Sequence, residues 1–255
     1  MKVLIIGDSC KDVFIYGDVT RLSPEAPVPV FNPRRKVEND GMARNVANNV
    51  EALDSTIYTI TNKNSIKKIR YVDHKSNQLV LRVDEHDYCD RIDPVLLSTI
   101  QDNTCRTFGS ESTTYDAIII SDYDKGFLNE KDIDWICSNN TNVFVDTKKK
   151  LGSWILDADF LKINNLEYTE NQEFFDSPSS ILEKTIITKG NEGCVYRGET
   201  YATEDVEVKD ISGAGDTFLA GLVVEYLKSN DIVKSIKFAQ KCTKIVVQKH
   251  GVSTI

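Results

Sequence analysis

Six short apolar runs, KVLIIGD, STIYTI, YDAIIISD, NVFVDTK, ADFLKIN and KTIITKG, recur along the chain with polar or helix-periodic stretches between them. Short, near-continuous apolar runs describe strands buried on both faces, and such strands need helices packed above and below. This restricts the chain to an α/β arrangement with a mostly parallel central sheet. A length of 255 residues suits one large domain with a substantial core, so a single domain over residues 1–255 is expected.

Two segments break the pattern. Residues 12–32 and 68–86 alternate like strands but carry many polar partners and no helical period. They are expected to form a small, separate antiparallel layer. Ligands of α/β proteins bind beyond the carboxyl ends of the parallel strands, where such a layer can close as a lid.

Bulk properties exclude several classes. The six cysteines contain no CxxC pair and read as reduced core thiols; His74, His86 and His250 show no metal-ligand spacing. A net charge of -8 argues against a nucleic-acid partner, because phosphate backbones are gripped by basic surfaces. The apolar run in MKVLIIGDSC is too short for a signal-peptide core or a membrane span, so a cytoplasmic location is expected.

The chemistry concentrates in DISGAGDTFLAGL, residues 210–222. Val206 and Val208 alternate with polar neighbours as a half-exposed strand would, whereas Phe218, Leu219, Leu222, Val223, Tyr226 and Leu227 follow the spacing of one buried helix face. Glycines at such a junction let an anion approach unpaired helix N–H groups, so Gly213, Ala214 and Gly215 form a candidate phosphoryl cradle. Asp216 at its edge is a candidate base for an attacking hydroxyl. Taken alone, GAGD is equally an ordinary turn with an acidic cap.

Two companions strengthen the reading. TKGNEGC supplies Thr188, Gly190 and Gly193 as a second glycine-rich loop, which by itself is also a plain hairpin turn. KINNLE places Asn164 and Glu167 one helical turn apart, where they can order a magnesium ion through its waters or simply start a helix.

DISGAGDTF, TKGNEG and KINNLE, with GD at the end of the first strand, resemble the ribokinase or PfkB family of sugar kinases. GDSCKDVFIYG, RLSPEAPVPVF, GMARNVANN, IRYVDHKSNQLVLRVD, IIISDYDKG, VDTKK and KHGVST are similar to its heptose 7-phosphate kinase branch, the kinase half of bifunctional ADP-heptose synthases. The similarity covers residues 7–254.

The resemblance implies a ribokinase-like three-layer sandwich with a β lid, using ATP and magnesium. It implies Asp216 as catalytic base and Gly213, Ala214 and Gly215 as anion hole. Asp8, Asp12, Gly41 and Asn45 match the sugar side, and Arg70 or Arg82 in the second lid segment is suited to the substrate's distal phosphate. Lys148, Asn164, Thr188, Gly190 and Gly193 fall on the nucleotide side. The implied reaction phosphorylates the anomeric hydroxyl of a heptose 7-phosphate. Other readings are a kinase of the same fold acting on another sugar, sugar phosphate or nucleoside, or a silent sugar- or nucleotide-binding protein. Exposed lid edges suit a homodimer.

The sequence departs from the family in three places. Family members carry two adjacent glycines before the sugar-side asparagine, where this chain has Gly41, Met42, Ala43 and Arg44. Only TNKNS stands where the family has a further helix and strand, so a sheet trimmed at one edge is expected, and residues 168–183 are compressed. No HxGH-type nucleotidyltransferase motif occurs.

Overall fold

The computed structural model describes residues 1–105, 112–176, 180–249 and 251–255, so His250 lies outside the described residues. In chain order the elements begin with β1 (Lys2–Gly7), β2 (Ser9–Leu22), β3 (Pro29–Met42), α1 (Ala43–Ala52), β4 (Thr56–Thr61), β5 (Ile66–Asp73) and β6 (Leu79–Glu85). Then come α2 (Pro94–Leu97), β7 (Thr104–Cys105), β8 (Thr113–Thr114), β9 (Ala117–Asp122), α3 (Glu130–Asn139), β10 (Val143–Thr147) and β11 (Phe160–Asn164). The chain closes with α4 (Asn165–Glu170), α5 (Gln172–Asp176), β12 (Thr185–Thr188), β13 (Cys194–Tyr196), β14 (Glu199–Tyr201), α6 (Ala214–Ser229) and α7 (Ile232–Val247).

The larger sheet runs β14-β13-β12-β11-β10-β9-β1-β4 and is parallel from β12 to β4, with β13 and β14 added as an antiparallel edge. Alternate side chains of its central strands enter two cores. Leu4, Ile6, Ile118 and Ile120 meet Ile133 and Ile136 of α3 on one face. Val3, Ile5, Ile119 and Phe144 meet Val46 of α1, Leu222 of α6 and Ile236 of α7 on the other. Both faces being covered explains the near-continuous apolar runs. At the other edge β4 ends the sheet, and residues 62–65 lead directly into β5.

The second sheet has the order β3-β2-β5-β6. It is mixed where an antiparallel layer was expected, because β2 and β5 pair in parallel while β2–β3 and β5–β6 are antiparallel. The parallel pair arises because α1 and β4 lie between those two strands in sequence, which returns the chain to its starting end. The strand also extends through residues 33–42, past the alternating segment, and residues 23–28 form the turn of the β2–β3 hairpin.

The expected strand before the GAGD stretch does not form. Val206 and Val208 lie in an irregular segment between β14 and α6, and half of Val208 remains exposed. Their alternation with polar residues marks one side packed against the body without a neighbouring strand to complete a ladder. All six cysteines are buried and unpaired. Among the described residues no helix is long and apolar enough to cross a membrane, and no three His, Cys, Asp or Glu side chains gather as a metal site.

Candidate active site

The N-terminus of α6 points its first turn at the junction of the two sheets. Gly213, which precedes it, has φ of 81°, and a Cβ there would lie 2.6 Å from Asn45 Nδ2. Glycine is therefore required both by conformation and by space. A Cβ on Gly215 would lie 3.0 Å from Lys162 Nζ, so that position too brings backbone close to a cation. The Ala214 N–H donates to the Ile211 carbonyl at 3.1 Å, which leaves Gly215 and Asp216 as the first-turn amides without an intrahelical acceptor.

Asp216 is buried in this first turn. Asn45 Nδ2 donates to its Oδ2 at 2.8 Å and the Tyr123 hydroxyl donates to its Oδ1 at 2.7 Å. The Asn45 amide is itself fixed, because Asn49 Nδ2 donates to both the Asn45 carbonyl and its Oδ1, turning the Nδ2 group toward Asp216. Burial raises the Asp216 carboxyl above its ordinary value, while these two hydrogen bonds and the Lys162 ammonium oppose the shift.

The residues expected on the nucleotide side line a cleft of about 470 Å³. One wall is the β12–β13 hairpin with Thr188, Gly190 and Gly193; the other is α6, α7 and the irregular segment, with Ala214, Phe218 and Val247. Gly193 has φ of 93°, and a Cβ there would be 2.1 Å from the Tyr201 carbonyl, so the hairpin can close only with glycine. At the cleft floor Asp146 accepts from Lys162 Nζ at 2.6 Å and from Lys148 Nζ at 3.2 Å. Burial alone would raise the Asp146 carboxyl, but the two ammonium groups hold it below its ordinary value. Lys148 also reaches Glu167 Oε1 at 2.6 Å; desolvation works against its charge, yet Asp146 and Glu167 together raise its pKa.

Asn164 and Glu167 form a complete capping box for α4. The Glu167 N–H donates to Asn164 Oδ1 at 2.9 Å, and the Asn164 N–H donates to Glu167 Oε2 at 2.8 Å. Asn164 Nδ2 adds a third bond, to Oε1, at 2.7 Å. Glu167 Oε1 is thus filled by Asn164 and Lys148, and Oε2 retains one lone pair. Magnesium needs oxygen ligands, and this pair offers no open inner-sphere set; it fits only a hydrated ion held through water at Oε2.

The residues expected on the sugar side divide. Asp12 on β2 is buried and pairs with Arg70 Nη1 of β5. Gly41 lies against it, since a Cβ there would be 2.0 Å from Asp12 Oδ2. Arg70 lines a second cavity of about 350 Å³, which adjoins the first because Val208 and Ile211 line both. Arg82 on β6 stands opposite Arg70 in the strand register but is forked onto Asp84, with Nε and Nη2 each at 2.8 Å from a carboxylate oxygen. Asp8 is fully buried and saturated: Oδ2 accepts from the Tyr123 and Lys125 amides at 2.7 and 3.2 Å, and Oδ1 from the Phe127 amide at 3.2 Å and the Cys89 thiol at 3.5 Å. Met42 is buried in the core and Arg44 is exposed, so neither bulky residue of the altered stretch enters the site.

Four residues of the site were not singled out in the sequence: Tyr123, Asp146, Lys162 and Lys68. Lys162 and Asp146 are charged residues inside otherwise apolar strands, and that contrast was the available signal. Lys68 on β5 sits 4.8 Å from the Tyr123 ring centroid and makes no ion pair among the described residues; burial lowers its pKa.

Residues 114–255 match the family described as pfkB family carbohydrate kinase. The bifunctional protein HldE of Helicobacter pylori strain J99 is 28% identical, over 98% of this chain and 63% of its own length. The protein of that name from Bradyrhizobium diazoefficiens is 27% identical, over 99% of this chain and 60% of its own length. The chain thus spans less than two thirds of these relatives. Among solved structures, ribokinase of Thermotoga maritima superposes with a TM-score of 0.69 at 15% identity, covering 98% of this chain and 94% of its own. Ribokinase of Arabidopsis thaliana, complexed with ribose and ATP, gives 0.64 at 13% identity, covering 98% and 93%. At such identities the structures establish a shared fold.

Proposed function

The chain belongs to the pfkB family of carbohydrate kinases, and from that premise we propose that it transfers the γ-phosphoryl group of ATP to the anomeric hydroxyl of D-glycero-D-manno-heptose 7-phosphate. The product would be the 1,7-bisphosphate. The observation that carries the reading is Asp216, a buried carboxylate in the first turn of a glycine-led helix, beside the cleft that the GAGD and TKGNEG stretches share. The HldE relatives and the RLSPEAPVPV stretch support the heptose assignment.

ATP would lie in the larger cleft, its base against Val206, Val247 and the neighbouring apolar wall and its phosphates toward the α6 N-terminus. The acceptor hydroxyl would approach Asp216 from the second sheet. Its oxygen forms the new P–O bond as the bond to the β-phosphate bridging oxygen breaks, the proton passes to the Asp216 carboxylate, and ADP leaves. Charge on the moving phosphoryl group would meet the free first-turn amides and Lys162, which are oriented before substrate arrives. Magnesium would supply charge neutralisation on the nucleotide phosphates, with Glu167 Oε2 as its water-mediated contact.

On the acceptor side Arg70 and Arg82 already hold Asp12 and Asp84, whereas Lys68, in register with both carboxylates, forms no close ion pair among the described residues. We assign the distal phosphate to Lys68, with Arg70 adjacent on the same face of β5. The second sheet would serve as the lid, within a single domain. Among the described residues its two edges, β3 and β6, have no further strand beside them, and exposed Leu22, Leu79 and Leu81 lie on the sheet, which favours a homodimer through it. A cytoplasmic location is consistent with ATP as donor.

Phosphoryl-transfer assays over a panel of sugars and sugar phosphates, with the product identified by phosphorus NMR, test the proposal. Preference for the 7-phosphorylated heptose and a new anomeric phosphate are expected. Preference for an unphosphorylated sugar or a nucleoside would move the chain to another acceptor within the same family.

A further inference from the structure

Asp8 and Asp216 lie at opposite sides of Tyr123. The Asp8 carboxylate accepts from the backbone N–H groups of Tyr123, Lys125 and Phe127, so it fixes the path of the loop that follows β9. From that loop the Tyr123 side chain reaches back and donates its hydroxyl to Asp216 at 2.7 Å. Four donors fill the Asp8 oxygens, leaving it no lone pair for a sugar hydroxyl.

We propose that Asp8 and Tyr123 form a positioning chain for Asp216: Asp8 sets the loop, and the loop's phenol fixes the orientation of the base. This rests on the reading of Asp216 as the proton acceptor, but the juxtaposition itself does not. Tyr123 is a positioning residue here, and Asp8 acts one step further back.

Several features agree. Burial and the neighbouring charge of Asp216 raise the phenol well above its ordinary value, so Tyr123 stays protonated and donates. Its ring lies 4.8 Å from the Lys68 ammonium and 5.4 Å from that of Lys148, one on the acceptor side and one on the nucleotide side, which restrains it from both directions. The second oxygen of Asp216 is held by Asn45, so both oxygens of the base are oriented by groups from different elements. The other charged or titratable groups acting on Asp216 are Asp146 of β10 and Lys162 of β11, while the Cys10 thiol of β2, raised to about 12 chiefly by burial, faces it as a neutral group.

The test uses Tyr123→Phe, which keeps the ring and removes only the hydroxyl, together with Asp8→Asn and the double variant. First, carbon NMR follows the Asp216 carboxyl titration in the free protein without substrates. Removing the phenol donor is expected to raise the midpoint by about half a unit to one unit. An unmoved midpoint overturns the chain whether or not the protein phosphorylates any sugar, whereas an inactive wild type with a moved midpoint counts against the kinase assignment alone.

Second, Tyr123→Phe is expected to lower kcat about tenfold with both KM values within about twofold, and to shift the acid limb of the kcat/KM profile to higher pH. Asp8→Asn is expected to act in the same direction, and the double variant to lose no more than the worse single one, because both act through the same phenol. An Asp8→Asn protein with raised acceptor KM and normal kcat would instead place Asp8 on the substrate and overturn its part. If Asp8→Asn fails to fold, Tyr123→Phe alone decides: an unchanged or higher kcat would show that the phenol merely occupies the acceptor's place.

Discussion

Lys162 holds Asp146 across 2.6 Å between the adjacent strands β11 and β10, and both groups are buried. The pair lies below the helix whose first turn carries Asp216, so it joins the sheet's interior to the site. Breaking a buried ion pair from one side leaves a carboxylate that only Lys148, at 3.2 Å, still faces, and Lys162→Met should cost about 3 kcal/mol in urea unfolding, the lower end for a buried pair. Adding Asp146→Leu should recover much of the loss. Because the folded Asp146 carboxyl lies below its ordinary 3.8, the stability it contributes is present above that value and is lost as pH falls through the folded pKa. Equal stability of Lys162→Met and wild type at pH 7 would contradict this account.

Asp216→Asn should reduce turnover by at least about 10² to 10⁴-fold while ATP affinity, measured by calorimetry, stays near wild type. The same substitution should raise the melting temperature at pH 7. The folded Asp216 carboxyl lies above its unfolded 3.8, so its stabilising contribution is present below 3.8 and is lost as pH rises through the folded value. The amide carries no such pH-dependent loss, so the gap in melting temperature should narrow as pH falls through the folded value. Wild-type turnover in the variant would remove Asp216 from the mechanism.

Lys68→Met should raise the KM for a phosphorylated acceptor by tenfold or more, with the KM for ATP unchanged within about twofold. Any activity on the unphosphorylated sugar should be hardly affected. Arg70→Ala should damage both acceptors, because it also leaves the Asp12 carboxylate unpaired. The two variants measured side by side on both acceptors separate a phosphate contact from a structural ion pair.

Glu167→Gln should increase the magnesium concentration required for half-maximal rate, since it removes the negative charge beside the one free carboxylate lone pair. An unchanged magnesium titration would leave Asn164 and Glu167 as a helix cap alone.

The fold was legible where burial is simple. KVLIIGD, YDAIIISD and NVFVDTK are central strands because their residues alternate between two apolar cores, and no other placement satisfies such runs. The second sheet was harder. Residues 33–42 carry Arg34, Arg35, Lys36 and Glu38 on a largely exposed edge strand, where no buried face imposes a two-residue period. Parallel pairing of β2 with β5 depends on how intervening elements route the chain, which no local pattern encodes. In the site, GAGD placed Asp216 because its signal is local. Tyr123, in the loop after β9, and Lys162 of β11 come to it from far away in sequence, and the DYDKG stretch gave no local reason to send a phenol toward α6. The expected sugar contact at Asp8 met a similar limit: the sequence contains the carboxylate, but the four donors that fill it come from residues 89 and 123–127.

The second sheet has almost no slack where it joins the body. Asp8 alone separates β1 from β2, and β3 passes from Met42 straight into Ala43 of α1, with Met42 held at φ of 59° in a conformation that side chains rarely adopt. Two residues after that junction stands Asn45, whose amide grips Asp216. A tilt of the sheet would therefore turn the first helical turn of α1 in the same stroke, as a lever turns its own axle. On the proposed reading of the second sheet as lid and Asp216 as base, enclosing an acceptor and aligning that carboxylate would be one mechanical event, with bent Met42 as the spring between them.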